Sequence, residues 1–279
     1  MITTEQFAYI EEHAYIPEHI THYVTAISKV EPFLFGEFLA YVKKDHLIFV
    51  GYPLEGAFEE KKMEKALNEA RRRFKPREIS LTAPKIPSSI AGSSQSPSDY
   101  YYRLGLSTLS ISQKLRNMLR RADRDLVVER TKTLKEEHQE MVNEFLNTHT
   151  VDEATQFIFK RIPEYLSSAP SVWVFNAREK SGALAAFDIA EFGAKDYAIY
   201  MFNFRSDALY VPGASDLLLS EVIKCAKETN KKFINLGLGI NPGVAFFKKK
   251  WGGVIFLPYA FCLYESSSRE VMDSLLQKL

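Results

Sequence analysis

The chain lacks several features that would place it quickly. Cysteine is scarce. Cys225 and Cys262 are the only two in 279 residues, which excludes the disulfide framework that holds small secreted domains together. Cys225 falls on the apolar side of a helical pattern and Cys262 in an apolar strand run, so both read as buried, reduced thiols. An excess of one charge is missing too. Thirty-six Lys and Arg against 35 Asp and Glu leave a formal net charge of +1. No global basic field advertises nucleic acid, DNA included, and no acidic field advertises disorder.

Long apolar runs are also absent. The longest, such as residues 254–263, fall far short of the roughly 20 residues a spanning helix needs. The opening MITTEQFAYIEEH has no basic region followed by an apolar stretch, so no secretory signal is read and a cytoplasmic location is expected. The six histidines show no metal spacing. His19 and His22 stand three apart without Cys or carboxylate partners, and no metal is expected. There is no P-loop, Rossmann glycine fingerprint or GxSxG elbow.

What remains is an ordinary globular composition, 46% apolar and 25% charged, in a chain long enough for two units. Helical patterns cover residues 3–14 and 17–29. Strand runs at 33–42 and 46–52 flank the turn Lys43-Lys44-Asp45 and predict a hairpin. A helix at 58–74 and a strand at 78–83 follow. Residues 84–99, rich in Ser, Pro and Gly, mark a domain boundary, giving units 1–97 and 98–279. The second unit reads as a strand at 100–107, a basic amphipathic helix at 112–125 and a strand at 126–130. Helices at 134–147 and 152–167 precede three antiparallel strands at 172–177, 182–192 and 196–204. A helix at 215–228, a strand at 233–237, a helix at 242–250 and a strand at 254–264 complete it. The first unit offers a shorter echo of this order.

One stretch, INLGLGINPGVAFFKKKWGG (234–253), joins a strand end, a glycine-rich turn and a helix ending in three lysines. Upstream, Pro212-Gly213 precedes a helix that Ser215 or Asp216 could cap. A helix start offers free N–H groups and a partial positive charge, so it can hold a phosphate. If helix 215–228 is a crossover, strands 196–204 and 233–237 run parallel, and a cleft can open where their C-terminal ends splay. Asn235, Gly237 and Asn241 lie at or just past that end.

Taken together, PGASDLLLSEVIKCAKETNKKFINLGLG, FFKKKWGG and the aromatic last strand resemble the second half of a GNAT (N-acetyltransferase-like) domain. The nearest likeness is to Fem-type aminoacyltransferases and the C-terminal domain of phosphatidylglycerol lysyltransferases. Pro212, Gly213, Asp216, Leu217, Asn235, Leu236, Gly237, Phe247, Lys248, Lys250, Trp251 and Gly252 carry it, with the basic helix KLRNMLRRADRD. The resemblance implies an α/β fold with a GNAT-like mixed sheet flanked by helices, as two tandem units. It implies an N-acyltransferase with an acyl-CoA (acetyl-CoA or longer) donor and a small-molecule or peptide amine acceptor. An aminoacyl-tRNA donor is the alternative, and a non-catalytic ligand-binding or scaffold role is a third. Only part of the usual CoA-loop pattern survives across Leu209–Ser215, and no membrane portion is present.

The resemblance assigns donor binding to Phe202, Val211, Gly213, Ala214, Ser215, Asp216, Asn235, Gly237, Asn241, Phe247, Lys248 and Lys250. Phe202 or Asn203 would be a bulged residue whose N–H polarises the donor carbonyl. Tyr210 is a candidate acid for the leaving group or a residue packed on the sheet edge. Asp188 is a candidate base or a solvent-facing strand residue. Asn235 either contacts ligand or satisfies loop carbonyls. Lys248–Lys250 are either a solvated helix end or a contact to phosphate or RNA. Arg116, Arg120, Arg121 and Arg124 are either a solvated face or a tRNA contact.

Overall fold

Alternating and β-branched runs become strands, and the longer 3.6-period runs become helices around one extended mixed sheet. The computed structural model describes residues 1–90, 94–95 and 98–265. The linker read at 84–99 therefore lies partly outside the described residues, as does residue 97 at the expected domain boundary.

In the first third, α1 (Thr4–His13) and a short 3-10 turn (Pro17–His19) lead into α2 (Thr21–Ser28). β1 (Glu31–Phe35), β2 (Phe38–Lys43) and β3 (His46–Val50) form an antiparallel meander. The predicted single strand over 33–42 is in fact two. Gly36 takes a left-handed φ of 59°, open to glycine at no steric cost, and turns the chain between Phe35 and Phe38. Helix α3 (Glu60–Phe74) then crosses over to β4 (Glu78–Ala83), which runs parallel to β3.

The remainder follows the expected order. β5 (Ser94–Gln95) and β6 (Asp99–Gly105) precede α4 (Gln113–Asp125) and β7 (Leu126–Thr131). Next come α5 (Glu136–Thr148), α6 (Glu153–Phe159) and α7 (Ile162–Ser168). The helix read over 152–167 breaks in two before Pro163, because the residues ahead of a proline are disfavoured from continuing a helix. Asp152 caps α6, accepting from the Thr155 amide at 2.8 Å. β8 (Val172–Glu179), β9 (Leu184–Glu191) and β10 (Tyr197–Arg205) make a second meander. Helix α8 (Ala214–Glu228) crosses to β11 (Phe233–Leu238), parallel to β10. α9 (Pro242–Lys250) and β12 (Val254–Glu265) close the described chain.

Strand order is β1-β2-β3-β4-β12-β6-β11-β10-β9-β8-β7, with β5 on β12. The succession of three antiparallel strands, crossover helix and parallel strand thus occurs twice, in mirrored order about β12 and β6. β12 joins the halves: its first part pairs with β6 and its last with β4. On one face of the second half, α4, α8 and α9 cover a core around Leu218, Leu219, Val222 and Trp251. On the other, α2, α5, α6 and α7 cover a core around Phe187, Ile199 and Phe202. Both cysteines are free and buried.

Candidate active site

The two parallel crossovers differ in one respect that creates a site. β3 and β4 stay paired over five residues, from His46↔Glu78 to Val50↔Thr82, and the Gly51 amide still bonds the Thr82 carbonyl beyond them at 2.7 Å. β10 and β11 pair only from Tyr197↔Phe233 to Ile199↔Asn235. Beyond that point β10 continues beside β9, and a bulge between Tyr200 and Phe202 makes Met201 the extra residue, one position before the pair the sequence suggested. β11 instead turns at Gly237, whose φ of 77° few other residues adopt. The expected fork is present.

Its floor on the α8 face is polar. Asp188, on β9, is fully buried and accepts a hydrogen bond from the Asn203 amide on β10. It does not face solvent, because it shares the α8 side of the sheet with Ala190 while Phe187 and Ile189 fill the other face. Asn203 is exposed, and its carbonyl oxygen accepts from Ser215 Oγ at 3.2 Å, linking the pair to the start of α8. The second Asp188 oxygen and the buried Tyr200 hydroxyl have no partner of ordinary hydrogen-bond geometry, though they lie close enough for the carboxylate charge to act on the hydroxyl. Burial pushes the Asp188 carboxyl up to about 8, against the lowering effect of Asn203 and Tyr200.

Helix α8 begins at Gly213, and no side chain caps it. Asp216 in its first turn is buried and turned to one side, where it accepts from Trp251 Nε1 at 2.9 Å and pairs with Lys250 at 2.6 Å. The amides of the helix start therefore stand between the Asn203–Ser215 link and helix α4, whose Met118 and Ala122 lie against Gly213.

The lysine run is not a plain solvated helix end. Only Lys249 is exposed. Lys250 holds Asp216, and Lys248, 4% exposed, turns into the fork and donates to the Leu238 carbonyl. Its Nζ comes within 3.6 Å of where a Gly237 side chain would begin. Burial brings the Lys248 ammonium down to about 7, with Asp99 pulling the other way. α9 can hold it there because Asn241 caps the helix, accepting from Val244 at 3.0 Å, with Pro242 in the first turn. Gly239 is required by close approach: a side chain would meet Asp99 Oδ1 at 2.7 Å.

Of the other residues singled out in the sequence, Ala214 is buried, and Val211 and Phe247 pack on the α8 core. Phe202 is buried on the opposite face. Asn235 is fully buried there too and donates to the Tyr15 carbonyl at 2.7 Å, while its own oxygen accepts from the Gly237 amide. Tyr210 is 60% exposed with the Arg205 guanidinium over its ring, and no described contact joins it to Asp188 or Asn203. Tyr200 stands by Asp188 instead. Period-two alternation from Asp188 could have found it, since both face one side of adjacent strands.

No protein-family model and no curated protein matches the sequence. Solved structures do match. The C-terminal domain of a putative lysylphosphatidylglycerol synthetase from Agrobacterium fabrum aligns over 98% of this chain and 95% of its own, with a TM-score of 0.61 and 14% identity. FemX aligns over 93% of this chain and 96% of its own, with a TM-score of 0.62 and 10% identity. A tandem GNAT protein from the clavulanic acid biosynthesis pathway aligns over 82% of this chain and 78% of its own, at 0.53 and 11%. At such identities the likeness is one of fold. The chain has a mixed α/β fold of the GNAT type. Among the described residues no group of His, Cys, Asp and Glu could hold a metal, and no helix is long and apolar enough to cross a membrane.

Proposed function

We propose that this protein is an acyltransferase that moves an acyl or aminoacyl group from an activated donor to an amine. The two halves, 1–97 and 98–279, are tandem GNAT-like units, and the second carries the chemistry. The observation that supports this most is the contrast between the crossovers: β3 and β4 stay paired, whereas β10 and β11 part, with Lys248 turned toward Gly237 on one side of the gap and Asp188 held by Asn203 on the other.

Amide formation needs a polarised carbonyl, an amine without its extra proton and a protonated leaving group. The donor carbonyl lies in the fork near Lys248. The amine attacks, a C–N bond forms, and the C–O or C–S bond to the carrier breaks. The proton lost by the amine passes to the Asp188 carboxylate, with Asn203 holding that carboxyl in place. Lys248, near neutrality between its charged and uncharged forms, stabilises the developing oxyanion and gives a proton to the leaving group.

An aminoacyl-tRNA donor is the better supported of the two. The Lys248 side chain occupies the gap that the pantetheine arm of CoA would need, whereas an ester carbonyl needs only its cation. The exposed Arg120, Arg121 and Arg124 lie on α4, the helix that borders the α8 start, where a phosphodiester backbone could run. A CoA donor finds support in the uncapped α8 start alone.

Binding of tRNA, measured against salt, tests the choice. Affinity should fall steeply as salt rises, and saturating CoA should leave the unfolding free energy unchanged. A rise of about 2–3 kcal/mol at a hundredfold excess of CoA over its Kd, with no tRNA binding, would transfer the assignment to a thioester donor. No response to either ligand would leave a scaffold.

A further inference from the structure

On the far side of the fork from α8, one carboxyl is buried without the partner it needs. Glu18 sits on the 3-10 turn Pro17–His19, where its Oε1 accepts from the Tyr101 hydroxyl at 2.7 Å. Its Oε2 is buried and has no hydrogen-bond partner. Next to it, His19 is fully buried. One ring nitrogen, Nε2, faces the Tyr52 carbonyl at 3.1 Å and so carries the proton, which leaves Nδ1 an acceptor with nothing to accept from. Burial keeps this imidazole neutral, bringing it down to about 4, so it supplies no positive charge to Glu18. Two adjacent residues thus present buried polar atoms without partners, although burial also pushes the Glu18 carboxyl up.

The surroundings are aromatic. Tyr23, Tyr52, Tyr101 and Tyr259 lie near enough to feel the charge of Glu18. A carboxyl oxygen without a donor, set among tyrosine side chains, suits a compact cation, because aromatic rings and a carboxylate both attract positive charge. The cluster also adjoins the fork. Asn235, the last β11 residue paired with β10, bonds the Tyr15 carbonyl. The Tyr23 ring is 6.2 Å from that of Phe202, just past the bulge. Tyr101, which holds Glu18, pairs with Leu238.

We infer that Glu18 and its ring of tyrosines bind the primary ammonium group of the substrate that enters the fork from the face opposite α8. The inference rests on the acyl-transfer reading for what the ammonium belongs to: the amine acceptor, or the amino group of an aminoacyl donor. The site itself stands on the unfilled acceptors.

Calorimetric titration of the full chain, with no donor present, tests it. Cadaverine probes the acceptor arm and L-alaninamide the aminoacyl arm, with N,N′-diacetylcadaverine and N-acetyl-L-alaninamide as uncharged controls. One arm should saturate, its acetylated control should not bind, and Glu18→Gln should weaken binding at least tenfold. Glutamine keeps the oxygen that accepts from Tyr101, so the melting temperature should not fall. Absence of binding in both arms, or equal affinity in Glu18→Gln, overturns the proposal. So does a lowered melting temperature with unchanged affinity, which marks a purely structural carboxyl. Because no donor is present, amine binding without any transfer activity would reject the proposed function and leave this site standing.

Discussion

Lys250 and Asp216 meet at 2.6 Å, fastening the end of α9 to the first turn of α8. Trp251, 2% exposed, adds its indole N–H to the same carboxylate at 2.9 Å. Asp216→Ala leaves that indole donor buried and unpaired and should cost about 1–3 kcal/mol. Asp216→Asn keeps an acceptor for the indole and should cost less, since the partly exposed Lys250 can turn to water. Urea unfolding of both variants checks the order. Equal losses would mean the indole bond contributes nothing.

Lys248 is a buried amine that α9 turns toward the sheet. Lys248→Met fills the same volume without charge, and exchanging a buried charge for an apolar isostere is often neutral or stabilising. The variant should fold with stability within about 1 kcal/mol of the parent, that being the typical net value of its bond to the Leu238 carbonyl. Its transfer rate should drop by about a hundredfold or more, the usual effect of removing a positioned oxyanion donor. A folded Lys248→Met enzyme with undiminished turnover would remove Lys248 from the chemistry.

Asp188 should imprint a pH dependence on stability. Burial raises its folded-state value to about 8, while the unfolded chain releases the proton near the ordinary carboxyl value of about 4. Its contribution is therefore fully present below about pH 4 and is lost as pH rises through about 8. Subtracting the Asp188→Asn stability curve from that of the parent isolates this group. The difference should slope downward between those limits and flatten above them. Transfer activity should follow a bell-shaped pH profile, rising as the Asp188 base form appears and falling as the Lys248 ammonium is lost. Parallel curves would show that Asp188 ionises normally.

Ile240 takes a φ of 58° and is 75% exposed. A β-branched residue in the left-handed region is strained, and burial offsets little of the cost here. Ile240→Asn should raise stability by about 1 kcal/mol, read as a higher melting temperature. Asp99, which accepts from the Ile240 amide at 2.8 Å, keeps the turn in either variant. No gain in stability would mean that this backbone is not strained.

Much of the fold is legible in the chain. Asn241-Pro242 starts α9, Asp152 starts α6, and Lys180-Ser181-Gly182 ends β8, because capping, turn chemistry and side-chain period act over a few residues. Local signals misled where a breaker sat inside a convincing run, at Gly36 and before Pro163. The fork could also be foreseen, from a crossover helix between two strands with glycines past the second. Asp188, Asn203 and Lys248 are legible as candidates, but not how deeply each is buried or which way it turns, and Glu18 reads as one acid among many.

The sequence by itself determined which segments are helix and strand, and that a helix start and a glycine-rich strand end would lie close together. Those outcomes follow from hydrogen bonding and side-chain spacing within each segment. Only the tertiary structure decided that β10 and β11 part after three pairs, that β12 joins the halves, and which charged groups lose their water. Desolvation depends on everything packed around a group, and for Glu18, Asp188 and Lys248 those neighbours come from distant parts of the chain.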